Sequence, residues 1–209
     1  MLLGSADGAA YPETMSRASG TVRLRPATPD DAPTLQAWDR QPHVIACSSD
    51  RPGLEIAFDG IDWPEELAQA SSDSFYQIAE VDYGGGARPI GVIQVCDPHT
   101  EPTHYWGEIE PDLRAIDIWI GPPDALNKGY GTQMMAQALD AAFAEPRVKA
   151  VIIDPLNSNT KAHRFYRRLG FKDVGRRLFH DEDDCLVMRL ERVDWLMRPR
   201  AVATTQSRG

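Results

Sequence analysis

A short segment with two glycines, Asn127-Lys128-Gly129-Tyr130-Gly131-Thr132, separates an apolar stretch from a stretch of helical composition. Glycines spaced in this way allow backbone amides to approach a ligand closely, and the following helix directs its positive end to the same place. Lys128 adds a mobile positive charge. The segment predicts a pyrophosphate cradle, although its spacing matches neither a nucleotide P-loop nor a dinucleotide fingerprint. A flexible strand-to-helix turn is the alternative interpretation.

A single carboxylate interrupts an apolar segment shortly before these glycines, in the run Arg114-Ala115-Ile116-Asp117-Ile118-Trp119-Ile120. If the run is a strand, its isoleucines share one face, and Asp117 and Trp119 share the other. A carboxylate in such a strand costs stability unless it is paired or functional. Asp117 is therefore a candidate functional residue. The alternative is a structural aspartate paired with an arginine.

A third group of polar residues comes later in the chain. Asp154 follows the apolar run Ala150-Val151-Ile152-Ile153, and Asn159 precedes an amphipathic helix that ends at Gly170. Tyr166 lies on the apolar face of this helix, where plain core packing would also explain it. His163, on the same helix, is predicted to lie at the surface.

This order of features resembles the GCN5-related N-acetyltransferase (GNAT) superfamily: a Gly-x-Gly loop at a helix start, an apolar strand, then Asn159, Ala162, Tyr166 and Gly170-Phe171. The resemblance implies a loop that holds the pyrophosphate of acetyl-coenzyme A, and an Asn and a Tyr beside the pantetheine arm and the sulfur. The cofactor-binding residues that it implies are Ile118, Trp119, Ile120, Asn127, Lys128, Gly129, Tyr130, Gly131, Thr132, Asn159, Ala162 and Tyr166.

A narrower resemblance rests on Tyr105-Trp106-Gly107-Glu108, Glu110-Pro111, Arg114, Ile116-Asp117, Ile120-Gly121-Pro122, Asp154-Pro155 and Ser158-Asn159. These residues are similar to those of the aminoglycoside 6′-N-acetyltransferases. The resemblance implies that Asp117 is the general base and that Tyr166 protonates the departing thiolate. It further implies that the substrate is bound by Trp106, Glu110, Asp117 and Asp154. Siderophore-type hydroxylysine acyltransferases share most of the pattern but generally have histidine at the position of Asp117.

The elements that must position these residues follow from periodicity. The predicted order is strand, helices, three strands, helix, strand, helix and two strands, with no clear period over residues 43–62. This order predicts one mixed α/β domain. The resemblance implies an α/β (α+β) fold with a single mixed, mostly antiparallel sheet of about seven strands, flanked by helices, of the acyl-CoA N-acyltransferase type. We expect a flexible leader (residues 1–20), the acetyltransferase domain (21–198) and a flexible tail (199–209).

Composition and charge restrict the function further. The 209 residues are 42% hydrophobic and 25% charged, with no apolar run of membrane-spanning length and no secretory signal. Three scattered cysteines predict reduced thiols, a cytoplasmic protein and no metal site. The net charge of −9 divides into −14 over residues 1–125 and +5 over residues 126–209. Such asymmetry suggests one cationic and one anionic ligand, and it disfavours nucleic acid as a partner.

The sequence therefore predicts an acetyl-CoA-dependent N-acetyltransferase that needs no metal and acts on an amine of an aminoglycoside or a similar polycationic aminosugar. The alternatives are a siderophore-type hydroxylysine or protein-amine acyltransferase, and a non-catalytic acyl-CoA-binding sensor. We expect a monomer or homodimer with no membrane partner. The acidic run at residues 181–184 is interpreted as a solvated hairpin turn, with the mouth of a polycation site as its alternative.

Overall fold

The computed structural model describes residues 20–179 and 182–198, which form one seven-stranded sheet flanked by six α-helices. The predicted tail and all of the predicted leader except Gly20 lie outside the described residues. The strands are β1 (Val22–Pro26), β2 (Ser74–Asp82), β3 (Ala87–Cys96), β4 (Leu113–Ile120), β5 (Ala150–Ile153), β6 (Lys172–Phe179) and β7 (Asp183–Glu191). The helices are α1 (Ala32–Trp38), α2 (Pro42–Ser48), α3 (Trp63–Ala68), α4 (Tyr130–Ala144), α5 (Thr160–Leu169) and α6 (Arg192–Leu196).

The strand order is β1-β2-β3-β4-β5-β7-β6. In the described residues, β4 and β5 form the single parallel pair, and every other neighbouring pair is antiparallel. The predicted mixed, mostly antiparallel sheet and the predicted order of its elements are therefore confirmed. The largest omission is α2, which lies inside the stretch without a clear period.

The parallel pair separates soon after it starts. Leu113–Ala115 of β4 pair with Ala150–Ile152 of β5, but β4 continues to Ile120 while β5 ends at Ile153. The edge of β4 beyond Ala115 that faces away from β3 thus has no strand partner in the described part of the chain. This separation opens a gap in the middle of the sheet, with unpaired backbone groups along one side.

The two faces of β4 are buried differently. Ile116, Ile118 and Ile120 belong to the large core that α4 and α5 cover, whereas Trp119 packs with the aromatic cluster under α1 and α3. The strand alternation predicted for this segment is therefore confirmed. Asp117 falls on the Trp119 face, and on the neighbouring strand Gln94 lies directly opposite it.

A segment of residues 42–51, which we call the bridging segment, crosses the gap. It consists of α2 and the three residues that follow it. At its start, His43 Nε2 hydrogen-bonds the carbonyl of Ile120 at the end of β4 (2.9 Å), and at its end the Ser49 hydroxyl donates to Asp183 of β7 (2.6 Å). The bridging segment thus connects the end of β4 with the start of β7, on opposite sides of the gap.

Candidate active site

The turn before α4 presents free backbone amides. Gly129 is the residue before the helix and has a left-handed backbone (φ 81°), as has Asn127 (φ 59°). No backbone amide of residues 127–132 donates a hydrogen bond within residues 20–179 and 182–198. Unpaired amides at the positive end of a 15-residue helix favour an anionic group. The residues present therefore fit the pyrophosphate of coenzyme A.

The side chains around this turn leave the approach to the amides open. A Cβ atom on Gly131 would meet only Phe165, at 3.7 Å, so the space beside that residue is available to a ligand. The Tyr130 side chain is buried and its hydroxyl hydrogen-bonds Tyr83 (2.9 Å). Tyr130 can therefore face a ligand through its backbone amide alone, and Thr132 is exposed.

Asp117 lies on β4 beyond the last residue that pairs with β5, next to the gap. Solvent reaches its side chain, and no hydrogen bond or ion pair to it is present in the described residues. Arg114, the nearest arginine in the sequence, pairs with Asp97 (2.9 Å) and Glu145 (2.7 Å) instead. Burial among protein atoms, and then the charge of Asp154, raise the pKa of Asp117 to about 7. The alternative of a structural aspartate paired with an arginine therefore finds no support in the structure.

Asp154 sits at the end of β5, close to Asp117. Its carboxylate accepts a hydrogen bond from the Tyr105 hydroxyl (2.5 Å). Burial raises the pKa of Asp154, and the charge of Asp183 adds to the effect, while the bond from Tyr105 opposes it. Asp183 and Asp184 of the acidic run belong to the β6–β7 hairpin, and a role of the run in binding a polycation stays a prediction.

The loop before β4 holds Tyr105 in place. Glu101, which is buried, accepts from the amides of Thr103 (2.8 Å) and Tyr105 (2.5 Å). The Tyr105 ring stacks on Phe179 at 4.5 Å. Sequence reasoning used Tyr105 only as part of a motif and did not select it as a site residue. The available signal in the sequence was an aromatic hydroxyl close to several acidic residues.

Two predicted substrate residues have other partners. The Trp106 side chain is buried in an aromatic cluster with Tyr105 and Phe179. Glu110 forms an ion pair with Arg189 on β7 (2.6 Å). The structure does not join either residue to Asp117 and Asp154 through a hydrogen bond. Their contacts with a substrate stay predictions.

Helix α5 brings Tyr166 and Asn159 to the gap. The Tyr166 side chain is nine-tenths buried, and its hydroxyl has no hydrogen-bond partner in the described chain. Burial first, and then the charges of Asp117 and Asp154, raise the pKa of this hydroxyl, which therefore stays protonated at neutral pH. Asn159 caps α5 by accepting from the amide of Ala162 (3.1 Å). His163 is buried and bonds the Leu156 carbonyl (3.0 Å), so its predicted surface position is wrong.

Comparison with known proteins identifies the family. Residues 27–179 match the family model described as an acetyltransferase (GNAT) domain. The chain belongs to the GNAT family. The match covers the β4 edge, the turn before α4, and α5, which together surround the gap. The GNAT resemblance inferred from the sequence is therefore confirmed.

The chain is similar to aminoglycoside acetyltransferases and to a lysine acyltransferase. An aminoglycoside N(6′)-acetyltransferase type 1 of Klebsiella pneumoniae is 27% identical over 165 residues, which cover 77% of this chain and 79% of the relative. A crystal structure of the aminoglycoside acetyltransferase AAC(6′)-Ib in complex with coenzyme A and kanamycin has a TM-score of 0.68 at 27% identity and covers 84% of this chain and 98% of that chain. The lysine N-acyltransferase MbtK of Mycobacterium tuberculosis is 23% identical and covers 73% of this chain and 69% of the relative.

These findings establish an N-acetyltransferase that uses acetyl-CoA, as the sequence predicted. Within the described ranges, no group of three or more His, Cys, Asp or Glu side chains is arranged to hold a metal ion. No helix in those ranges is long and apolar enough to cross a membrane.

An aromatic wall adjoins Asp117 on its own face of β4. Phe58 packs against Trp119 with ring centroids 4.6 Å apart, and Trp63 lies 6.3 Å from Trp119. Phe58 adopts a left-handed backbone (φ 53°), which is unusual for a bulky residue and indicates a conformation fixed by its surroundings. Trp63 is fixed in turn by donating to buried Asp39 (2.5 Å). Of the wall residues, sequence reasoning selected Trp119 alone, because Phe58 lies in the region without a period.

Proposed function

We propose that this GNAT enzyme acetylates an amine of an aminoglycoside or a similar polycationic aminosugar, and that it does so in the cytoplasm. The observation that carries the proposal is the pair of carboxylates, Asp117 and Asp154, at the gap between β4 and β5. An unpaired Asp117 beside a second acid favours a cationic acceptor. The 27% identity to an aminoglycoside N(6′)-acetyltransferase supports the same substrate class.

The cosubstrate is assigned to the positive end of α4. The backbone amides of residues 127–132 bind its pyrophosphate, and Lys128 contributes a charge that is not ion-paired in the described residues. The edge of β4 at Ile118–Ile120, which has no strand partner among the residues that the structure describes, binds the pantetheine arm through its backbone groups other than the Ile120 carbonyl, which His43 already holds. Asn159 and Ala162 at the start of α5 complete this side of the gap. When bound, acetyl-CoA supplies an acetyl thioester at the unpaired edge of β4.

Asp117 has the properties of the base in this proposal. A substrate amine is largely protonated at neutral pH and must lose a proton before its nitrogen attacks the thioester carbonyl. Asp117 takes that proton directly or through one water, and its raised pKa matches it to the task. Amides of β4 near Ile118 polarise the carbonyl as negative charge develops on its oxygen.

Tyr166 has the properties of the acid. Its hydroxyl is protonated at neutral pH and has no partner in the described chain. It gives its proton to the coenzyme A thiolate as the carbon–sulfur bond breaks, which completes the transfer. Asp154, held by Tyr105, binds a second ammonium group of the polycation, with Trp106 and Glu110 as further predicted contacts.

A direct assay tests the substrate. Purified protein is mixed with acetyl-CoA and either kanamycin or tobramycin, thiol release is followed, and the product is identified by mass spectrometry. We expect turnover and a product heavier by one acetyl group. Coenzyme A binding without turnover on any amine of a broad panel would instead indicate a sensor module.

A lysine-type acceptor is the second candidate, because MbtK matches 73% of this chain. Lysine, N6-hydroxylysine and a lysine-containing peptide belong in the same panel. A kcat/KM for any of these above that for the aminoglycosides would contradict the aminosugar proposal and favour this alternative. Such acyltransferases generally have a histidine at the position of Asp117. This chain has an aspartate there, which favours the aminosugar proposal.

A further inference from the structure

One cysteine lies at the mouth of the gap. Cys47 belongs to α2 in the bridging segment and is exposed, whereas Cys185 is buried and Cys96 is half-buried. Its sulfur accepts a hydrogen bond from Asn159 Nδ2 (3.3 Å). The bridging segment therefore places the Cys47 thiol against Asn159, the N-cap residue of α5, which lies far from Cys47 in the sequence.

A second residue faces the same space independently. Tyr166 is nine-tenths buried, and its hydroxyl has no partner in the part of the chain that the structure describes. Asp117, Asp154 and Cys47 are all near enough for their negative charges to raise the pKa of this hydroxyl, so Tyr166 and Cys47 belong to the same neighbourhood of the gap. A hydroxyl with no partner in the described residues, in the same neighbourhood as an exposed thiol, is suited to a ligand that brings its own acceptor atom, such as sulfur.

We propose that Cys47 forms a mixed disulfide with coenzyme A bound at this site. The inference rests on the proposed function, which places the coenzyme A thiolate at Tyr166 and the start of α5, with Asn159, along the same side of the gap. The step is thiol–disulfide exchange: the Cys47 thiolate attacks one sulfur of coenzyme A disulfide, a new sulfur–sulfur bond forms, the old one breaks, and one coenzyme A leaves as its thiolate. No external oxidant is required beyond that disulfide.

The surroundings of Cys47 make the reaction selective. Although Cys47 is exposed, the protein packed around its sulfur raises the pKa of this thiol, and the hydrogen bond from Asn159 offsets only part of that effect. A thiol of this kind reacts slowly with disulfides from solution, because the thiolate is the nucleophile. Binding of coenzyme A disulfide would hold one of its sulfur atoms beside Cys47. The resulting high effective concentration of the disulfide would offset the slow intrinsic reaction of this thiol. The bound adduct would occupy the cosubstrate site and stop turnover until a thiol reductant removes it.

The experiment compares two disulfides on the full reduced chain. Protein is incubated with coenzyme A disulfide or with glutathione disulfide at equal concentration, and adducts are followed by intact mass and peptide mapping. We expect labelling of Cys47 at least about tenfold faster with coenzyme A disulfide, which corresponds to the effect of templated binding. The mass gain is that of coenzyme A less two hydrogens, and dithiothreitol reverses both the gain and the loss of turnover.

Two variants sharpen the test. Cys47→Ser, with its folding checked by thermal melting, should gain no adduct at all. Gly131→Val should slow labelling by coenzyme A disulfide and leave labelling by glutathione disulfide unchanged, because only the former uses the turn before α4. Equal rates with the two disulfides, or an adduct confined to Cys96 or Cys185, would overturn the inference.

Calorimetric titration with coenzyme A alone separates the two proposals. If coenzyme A binds and Cys47 remains unlabelled, the inference fails while the proposed function stands. If coenzyme A does not bind, the assignment of the cosubstrate site fails, and the inference fails with it.

Discussion

At the scale of single residues, the important property of Asp117 is its position between water and protein. Solvent reaches its carboxyl, but the surrounding protein and Asp154 make its ionised form less favourable than in water. A base is most effective when its pKa lies near the working pH, since it is then both free to accept a proton and basic enough to do so. Asp154 contributes to catalysis in this account by adjusting that balance.

The pH dependence of kcat/KM tests this property. Because Asp117 must be ionised to accept a proton, we expect kcat/KM to rise with pH through an apparent pKa near the raised value of about 7. Asp154→Asn keeps an oxygen that can accept the Tyr105 hydrogen bond and removes one negative charge. In this variant the acid limb should move to lower pH.

The substrate amine also titrates, but the variant separates the two contributions. A limb set by the amine would stay in place when Asp154 is replaced. An acid limb near pH 4 in the parent protein would contradict the raised pKa of Asp117.

At the scale of elements, the site is built mostly from backbone groups. The turn before α4 and the unpaired edge of β4 both offer amides with no partner in the described residues. Their function depends on how closely a ligand can approach. A side chain on the inner surface of the turn is therefore the most direct probe of this element.

Gly131→Val is that probe. Because an added Cβ would make only an ordinary contact with Phe165 at 3.7 Å, the substitution should leave the fold intact. Its methyl groups would then occupy the approach to the amides. We expect acetyl-CoA binding to weaken by at least tenfold, about 1.4 kcal/mol.

Isothermal titration calorimetry measures the affinity of Gly131→Val for acetyl-CoA. Ala141→Val is the matched control, because it introduces the same side chain at an exposed position of the same helix. Unchanged affinity in Gly131→Val would remove the turn from the cosubstrate site.

How much the sequence could predict depended on whether the residues of each element carry a clear apolar pattern. The helix α4 and the strands β4 and β5 were predicted to within about two residues, because each carries a sustained apolar pattern. The helix α2 was not, because in its seven residues Val44 is the one buried side chain. Long-range bonds such as His43 to the Ile120 carbonyl fix α2, and no local pattern encodes them.

Side-chain directions were harder to predict than elements. Motif reasoning selected Trp106 and Tyr130 as site residues, but both rings are buried in clusters. In contrast, the face of β4 on which Asp117 lies was predicted correctly, because strand alternation determines it. Tyr105 was missed because its contact with Asp154 depends on a loop that Glu101 organises.

At the scale of the whole molecule, the net charge is divided unevenly along the chain. Residues 1–125 carry −14 and include Asp117, whereas residues 126–209 carry +5 and include the turn before α4. Under the proposed function, the acidic half of the chain attracts a cationic acceptor and the basic half attracts an anionic cosubstrate. Both attractions should weaken when salt screens exposed charges.

We expect KM for the aminoglycoside, and Kd for acetyl-CoA, to rise as ionic strength increases from low to physiological values. At 0.15 M, interactions between exposed charges are screened beyond about 8 Å. Steady-state kinetics over a salt series measures the first effect and calorimetry the second. A small monoamine acceptor is the control, since its single charge should give a weaker dependence. A KM for the polycation that does not change with salt would point to a neutral or apolar substrate.

The central claim is that Asp117 accepts the proton of the amine, and Asp117→Asn tests it most directly. The variant keeps the shape of the side chain and can neither ionise nor accept a proton at neutral pH. Loss of a general base typically lowers the rate by about 10²–10⁴-fold. We predict a kcat at least a hundredfold lower, by this same estimate, with nearly unchanged acetyl-CoA affinity. Thermal stability should be equal or higher, because an unpaired carboxylate of unfavourable pKa has been removed. Normal turnover in a variant that melts well below the parent would contradict the claim and make Asp117 a structural residue.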